Sequence, residues 1–254
     1  MRYFLTTLTM VLALLVTTAQ AEEIVAGLNQ NQISITTDFD GSELFVYGAV
    51  KRTAPAPEGP LDVIVVVIGP SKPVIVRKKE RRFGIWINDA GVQVDAAPSL
   101  YAVSTNRPFR EVISFTQDQL YKVGLNHSVK LIGNTNDAAY PEDYLRAAIR
   151  LNEARGLYFE QPQGVTINQE TLFQTRIRLP AQLVEGDYRV RVFLLRDRTV
   201  VDTLEQGIDV RKVGLERWIY TMAKENAAIY GLLSIALALA AGWLASTFFR
   251  LVFP

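Results

Sequence analysis

LDVIVVVIG, residues 61–69, is aliphatic throughout except for Asp62 and the closing glycine. A short unbroken run dominated by β-branched valine and isoleucine reads as a central buried strand. A helix of that length would be marginal, and the flanking Pro60 and Gly69-Pro70 bound the run on both sides. This stretch sets the expectation of a mainly β protein.

Upstream, QISITTDF (32–39) and ELFVYGAV (43–50) flank Asp40-Gly41. Asp-Gly between β-branched runs predicts a two-residue hairpin. Asp38, Asp40 and Glu43 also raise calcium as a second reading, although Gly41 is misplaced for an EF-hand loop. A proline-rich loop, residues 54–60, leads into the central strand. Downstream, Gly69-Pro70-Ser71-Lys72-Pro73 predicts a turn into VIVRKKERRFGIWIN (74–88), and further short strands fit 92–94 and 100–104. Short strands at this spacing, separated by Gly/Pro turns, indicate a β-sandwich over residues 22–105.

The period then changes. Thr116 to Gln119 matches a capping box that opens a short helix, closed by Gly124. A longer helix is predicted over residues 141–155, with proline in its first turn and Gly156 past its end. Tyr144, Leu145, Ala148, Ile149 and Leu151 form its apolar stripe, and Glu142 and Arg146 form an i,i+4 pair on its wet face. Strands return in GLYFE, GVTIN, TLFQTRIRLP, DYRVRVFLLR and TVVDTLEQGIDVRK. These predict a second sandwich over residues 156–213, joined to the first by a helical connecting section, residues 106–155. A second sheet packed on the first is the alternative for the later strands.

The two ends set the cellular frame. Arg2, an apolar stretch over residues 3–16 and Ala19-Gln20-Ala21 read as a signal peptide, residues 1–21, with Glu22 as the mature N-terminus. Residues 227–249 are uncharged and long enough, at about 1.5 Å per residue, to cross a hydrocarbon core. A juxtamembrane helix over 214–226, with Trp218 and Tyr220 in an interfacial belt, leads into this span, and residues 250–254 follow as a cytoplasmic tail. The expectation is a single-pass protein of the bacterial inner membrane with its body in the periplasm.

Composition narrows the function classes. The net charge of +1 includes Arg2, the one charge of the signal segment, so the remainder is balanced, which argues against a nucleic-acid partner. With no cysteine, disulfides, thiol nucleophiles and thiolate metal sites are excluded. His127 is the single histidine, lies beside Ser128, and reads as a loop residue; no G-x-S-x-G elbow or phosphate-binding glycine loop occurs. No catalytic, cofactor or metal residue is therefore expected.

The most unusual polar feature is Arg77-Lys78-Lys79-Glu80-Arg81-Arg82. On a strand Arg77, Lys79 and Arg81 share one face, and since the other face is also charged the segment must be an exposed end or edge. Its functional reading is an anion-recognition patch for lipid headgroups, a partner's acids or an oxyanion, to which Arg107 would add a guanidinium. In the span, Ser234, Ala238, Gly242 and Ser246 recur every four residues, a spacing that lets helices pack closely.

DVIVVVIGPSKPVIVRKKERRFGIWIN, PSLYAVSTNRP, RAAIRLNEARGLYFE, LFQTRIRLPAQLVEGDYRVRVFLLRD and YGLLSIALALAAGWLASTFFR together cover most of the chain beyond residue 21. On these stretches the sequence resembles a family of alphaproteobacterial transmembrane proteins of unknown function. The resemblance implies an envelope protein with one C-terminal span and an inner-membrane permease, or other integral membrane protein, as partner; it offers no catalytic residues. The combined expectation is two immunoglobulin-like β-sandwich domains on one C-terminal transmembrane helix. Its role would be a membrane-anchored periplasmic interaction module, accessory to a transport system. The alternative is a solute-binding or sensing ectodomain that recognises an anion.

Overall fold

The central strand is buried on both faces because two different layers cover it. A computed structural model describes residues 22–36, 38–57, 59–130, 141–213 and 215–252, apart from the side chains of 89, 90, 95, 141, 215–218, 221 and 249–252. In it β4 (Leu61–Ile68) lies inside a six-stranded sheet of order β2-β12-β11-β4-β7-β8. Val63, Val65 and Val67 point to one side, where they meet Leu44, Val46, Phe173 and Ile177 of a four-stranded sheet of order β1-β3-β10-β9. Ile64, Val66 and Ile68 point to the other, under the helices.

The strands are β1 (Glu22–Leu28), β2 (Gln32–Ile35), β3 (Gly41–Arg52), β7 (Tyr101–Thr105), β8 (Tyr158–Gln161), β9 (Val165–Asn168), β10 (Leu172–Pro180), β11 (Gly186–Arg196) and β12 (Thr199–Lys212). β10 alternates as its sequence predicts, with Phe173, Thr175, Ile177 and Leu179 inward and the intervening residues in solvent. Ser104 and Thr175 join the two sheets through a buried hydroxyl contact of 2.9 Å. At the start of β11, Tyr188 donates to the Val184 carbonyl at 2.9 Å and accepts from the Val184 amide at 3.2 Å.

The expected division into two sandwiches, residues 22–105 and 156–213, is corrected by the strand pairing. β3 pairs with β10, β4 with β11, and β2 with β12, so both sections build the same two sheets around one shared core. The helical section is likewise no linker. β7 and β8 run parallel, with Tyr101 opposite Tyr158, and a parallel pair needs a long crossover. The chain between β7 and β8 supplies it, and the helices described there roof the outer face of the larger sheet.

That roof contains α1 (Phe109–Val112), α2 (Phe115–Tyr121), a 3-10 turn at Leu125–His127 and α3 (Pro141–Ala154). α2 starts two residues earlier than the Thr116 box predicts: Ser114 caps it, accepting from the Gln117 amide, and Lys122 ends it in the left-handed region. α3 matches its expected extent; Ala148 and Ile149 are buried against the sheet, but Leu151 stands in solvent.

Two predicted turns fail for topological reasons. Asp40-Gly41 does not close a hairpin, because β2 belongs to the larger sheet and β3 to the smaller, so the chain crosses between layers there. Gly41 has φ +122°, and a Cβ would meet the Leu179 carbonyl oxygen at 2.8 Å, which explains the glycine. Gly69-Pro70 does not reverse the chain either. Ile68 stands opposite Tyr101, Gly69 donates to the Leu100 carbonyl, Ser99 donates to the Pro70 carbonyl, and Ser71 stands opposite Pro98. The β4–β7 ladder thus runs on into β5 (Ser71–Arg82) and β6 (Ile85–Pro98), which form a separate two-stranded hairpin.

The C-terminal section is helical: α4 (Leu215–Glu225) and α5 (Ala227–Val252). Asn226 donates to the Met222 carbonyl and accepts from the Tyr230 amide, so the two are nearly continuous. Among the described residues one helical stretch, Ala227–Phe248, is long and apolar enough to cross a membrane. The expected signal peptide, the last two residues of the tail and the Trp218 side chain lie outside the described residues.

Candidate functional site

The basic run forms the outer half of β5. Near the root of the hairpin Val76, Val94 and Ala97 are buried under the helical roof. Beyond Val76 every residue from Arg77 to Arg82 is exposed, so both faces are wet, as their charges require. Register shifts at Lys72/Val74 and Arg77/Lys79 mark bulges that twist the ribbon. Such twisting, together with lysine and arginine, is how exposed strands avoid unwanted pairing.

The tip is more informative than the charges. Phe83 and Gly84 have φ +50° and +86°, the signature of a tight two-residue turn whose first position favours Asn or Asp. Here it holds phenylalanine, fully exposed at 105%, beside Ile85 at 65% and Trp86 at 68%. Arg81 stands opposite Trp86 and Arg82 opposite Ile85, so each face of the tip carries one cation and one large apolar side chain. Sequence reasoning read residues 74–88 as one strand and missed the tip. The usable signal was the lone glycine after Phe83, between two β-branched runs.

The structure keeps Arg77, Lys79 and Arg81 together but removes Arg107 from them. Arg107 sits beyond β7, at the Leu61 end of β4, whereas the hairpin leaves from the Ile68 end. There it grips Asp62 with two charge-assisted bonds, Nε to Oδ1 at 2.9 Å and an NH2 to Oδ2 at 2.5 Å. Asp62 is fully buried, and Asn106 donates to the same carboxylate at 2.9 Å. Hydrogen bonding to Asp62 raises the Arg107 pKa further. This guanidinium is structural, neutralising a buried acid.

Two grooves border the hairpin and its roof. One, of about 520 Å³, lies between β5 and α3 and is lined by Arg77, Lys78, Lys79 and Arg150, with Asp143 and Tyr144. The other, of about 370 Å³, is lined by Lys122, Lys130, Arg189, Arg191 and Glu205, with His127 also on its wall. Glu205 lies 3.6 Å from Arg189 and 3.9 Å from Arg191. His127 Nε2 is 3.3 Å from Asp118, which also accepts the Val123 and Gly124 amides. The adjacent Ser128 hydroxyl donates to the Leu125 carbonyl at 2.6 Å, so it is bound to backbone and not aligned with the imidazole.

In α5, Ser234, Ala238, Gly242 and Ser246 fall along one slowly turning stripe, and nothing of the body lies against it. A Cβ at Gly242 would meet nothing within 4 Å, and the Ser234 hydroxyl donates to the Tyr230 carbonyl, which satisfies it within its own helix.

No curated protein sequence matches this chain. The solved structures that resemble it include Spo0M, a sporulation control protein from Bacillus subtilis, at 11% identity and a TM-score of 0.31; the match covers 82% of this chain and 56% of that one. The chain thus spans little more than half the length of Spo0M. BslA, a bacterial hydrophobin, matches at 11% identity and a TM-score of 0.21, over 76% of this chain and 97% of that one. A family model matches residues 23–251, from β1 through the apolar helix, and the chain belongs to that family, described as "Putative transmembrane protein (Alph_Pro_TM)".

Proposed function

We propose that this protein is a membrane-anchored interaction module, with an immunoglobulin-like body in the periplasm, one span, and its C-terminus in the cytoplasm, serving as an accessory to an integral membrane transport protein. The observation that carries the reading is the hairpin. Its outer half contributes nothing to either core, yet it holds Phe83, Ile85 and Trp86 in water. Exposed apolar clusters rimmed by charge mark contact surfaces. The immunoglobulin-like description is supported by the strand orders, by the parallel pairing of β2 with β12, and by the Tyr188 bond to Val184 near the start of a late strand. A non-enzymatic role is supported by the fixed Ser128 hydroxyl beside His127.

Photo-crosslinkers placed in the hairpin and in α5 of the full chain, in cells, test the reading. The expected result is one integral membrane protein caught from α5, with yield reduced by Gly242→Leu and unchanged by Ala241→Leu. A leucine at a close helix contact separates the backbones, and lipid offers no hydrophobic drive to restore them. Loss of no crosslink in either variant, or capture of no protein at all, overturns it. Protease added to spheroplasts should digest the body; a body protected until the inner membrane is breached overturns the orientation.

A second reading has its own observation. The groove is lined by four cationic side chains, Lys122, Lys130, Arg189 and Arg191, and by one acid, Glu205, and this excess of positive charge suits a small oxyanion. A concentration-dependent rise in melting temperature with sulfate or phosphate, lost in Arg189→Gln, would favour the sensing ectodomain.

A further inference from the structure

We infer that the tip of the β5–β6 hairpin is a second membrane contact, which rests Phe83, Ile85 and Trp86 in the interface of an anionic lipid leaflet. This rests on the reading of the chain as membrane-anchored and names what the hairpin touches.

Strand register supplies the direction. Ile68 stands opposite Arg189, and Arg189 opposite Gly207, so the remainder of β12, ending at Lys212, runs past the level where β4 passes into β5. The hairpin and the segment leading to the membrane helix therefore leave the body from the same end. The ladder is unbroken from Ile68–Tyr101 to Ser71–Pro98, so the root of the hairpin continues along the strand axis away from the body. Beyond the buried Val76, the exposed stretch Arg77–Arg82 gives it a reach of roughly 20 Å at about 3.3 Å per residue. An anchor and an arm that share one end of a body can meet the same bilayer.

Chemistry supplies the occupant. Tryptophan and phenylalanine suit the headgroup level, where an apolar ring and a wet surrounding coexist. Arg77, Lys78, Lys79 and Arg81 stand behind the tip on the exposed stretch, where lysine and arginine meet headgroup phosphates while their stems cover apolar surface. The turn itself points the same way. A bulky residue at φ +50° is uncommon, nothing lies within 4 Å of a Cβ at Gly84, and Phe83 is uncovered by the body. A strained aromatic held in solvent is explained when its ring leaves water on contact.

The test uses the full chain, reconstituted into vesicles of phosphatidylcholine with or without phosphatidylglycerol. Trp218→Phe and Trp243→Phe leave Trp86 as the one tryptophan. With phosphatidylglycerol present, Trp86 emission should shift to the blue and fall by roughly twofold when the lipids carry acyl-chain bromine, as expected for an indole at the interface. Arg81→Glu with Lys79→Glu should remove most of that quenching, and so should about 1 M salt, where the Debye length is near 3 Å. Water-like emission untouched by brominated lipid overturns the inference, as does equal quenching in vesicles of phosphatidylcholine alone. Thermal unfolding of each variant shows that the body is intact. Absent quenching with the protein crosslink retained leaves the interaction module standing without the lipid contact; quenching without a protein crosslink does the reverse.

Discussion

Glu22 and Arg196 clasp the two sheets together. Arg196, at the end of β11 in the larger sheet, donates from Nε to Glu22 Oε2 at 3.1 Å and from an NH2 to Oε1 at 2.9 Å, while Glu22 opens β1 of the smaller sheet. Glu22 is fully buried and Arg196 nearly so. Arg52 adds a third bond to the same carboxylate at 2.8 Å, and Arg196 also reaches the Gly59 carbonyl. A buried acid is tolerated here because two guanidinium groups satisfy it.

The clasp makes stability depend on pH. Hydrogen bonds from Arg196 hold the Glu22 pKa below its ordinary 4.5, against the opposing effect of burial. A depressed carboxylate pKa contributes stability that is fully present above pH 4.5 and is lost as pH falls through the lower folded value. Glu22→Gln should therefore destabilise the body by about 3 kcal/mol at neutral pH, the cost of leaving a buried guanidinium without its partner. The deficit relative to the native chain should shrink in acid. Thermal unfolding from pH 7 down to about pH 3 measures it, and a deficit that does not change with pH would contradict this assignment.

Arg107 should behave as a structural residue. Arg107→Ala strands the buried Asp62 carboxylate and should lower stability by about 3 kcal/mol. Arg107→Ala combined with Asp62→Asn should cost less, since the buried charge is gone. Neither change should alter vesicle quenching of Trp86. A loss of quenching in a folded Arg107 variant would return this residue to the basic patch.

The contrast between Arg77 and Arg107 shows what was legible in the sequence. Arg77 to Arg82 announce exposure by themselves, because charges on both sides of a strand leave no face for a core. Arg107 carries no such signal; its buried partner Asp62 is 45 residues away in the chain and is set by pairing. Local pattern also gave β4, β10 and α3 with nearly their observed bounds, since each buries a face whose period is written in consecutive residues. Pairing between distant strands was not legible. Nothing in the period of β3 distinguishes β10 as its neighbour from β2, and this is why one body read as two and Asp40-Gly41 read as a hairpin.

Tyr188 offers a local probe of the late-strand corner. Its hydroxyl is tied to both backbone groups of Val184 and its ring is buried. Tyr188→Phe keeps the ring and removes the bonds, so it should cost about 1 kcal/mol and free residues near Val184 to exchange amide protons faster. Native-like exchange at Val184 in the variant would mean the hydroxyl does not hold the corner.

Two sheets built jointly by both sections predict a single transition. Ile64 lies in the first β section, on the outer face of β4, and Ile177 lies in the second, on the inner face of β10; both are fully buried. If the sections were separate domains, Ile64→Ala would move one melt and Ile177→Ala another. Because β4 pairs with β11 and β3 with β10, neither section can keep its sheets when the other opens. Each substitution removes buried methyl groups and leaves a cavity, at a cost of about 3 kcal/mol. Both should therefore shift the same cooperative unfolding of the full chain in detergent, by similar amounts, with near-UV and far-UV signals coincident. The β5–β6 tip lies outside this unit, so Phe83→Ser should leave the transition where it is. Two transitions, each responding to one substitution, would restore the division at residues 106–155.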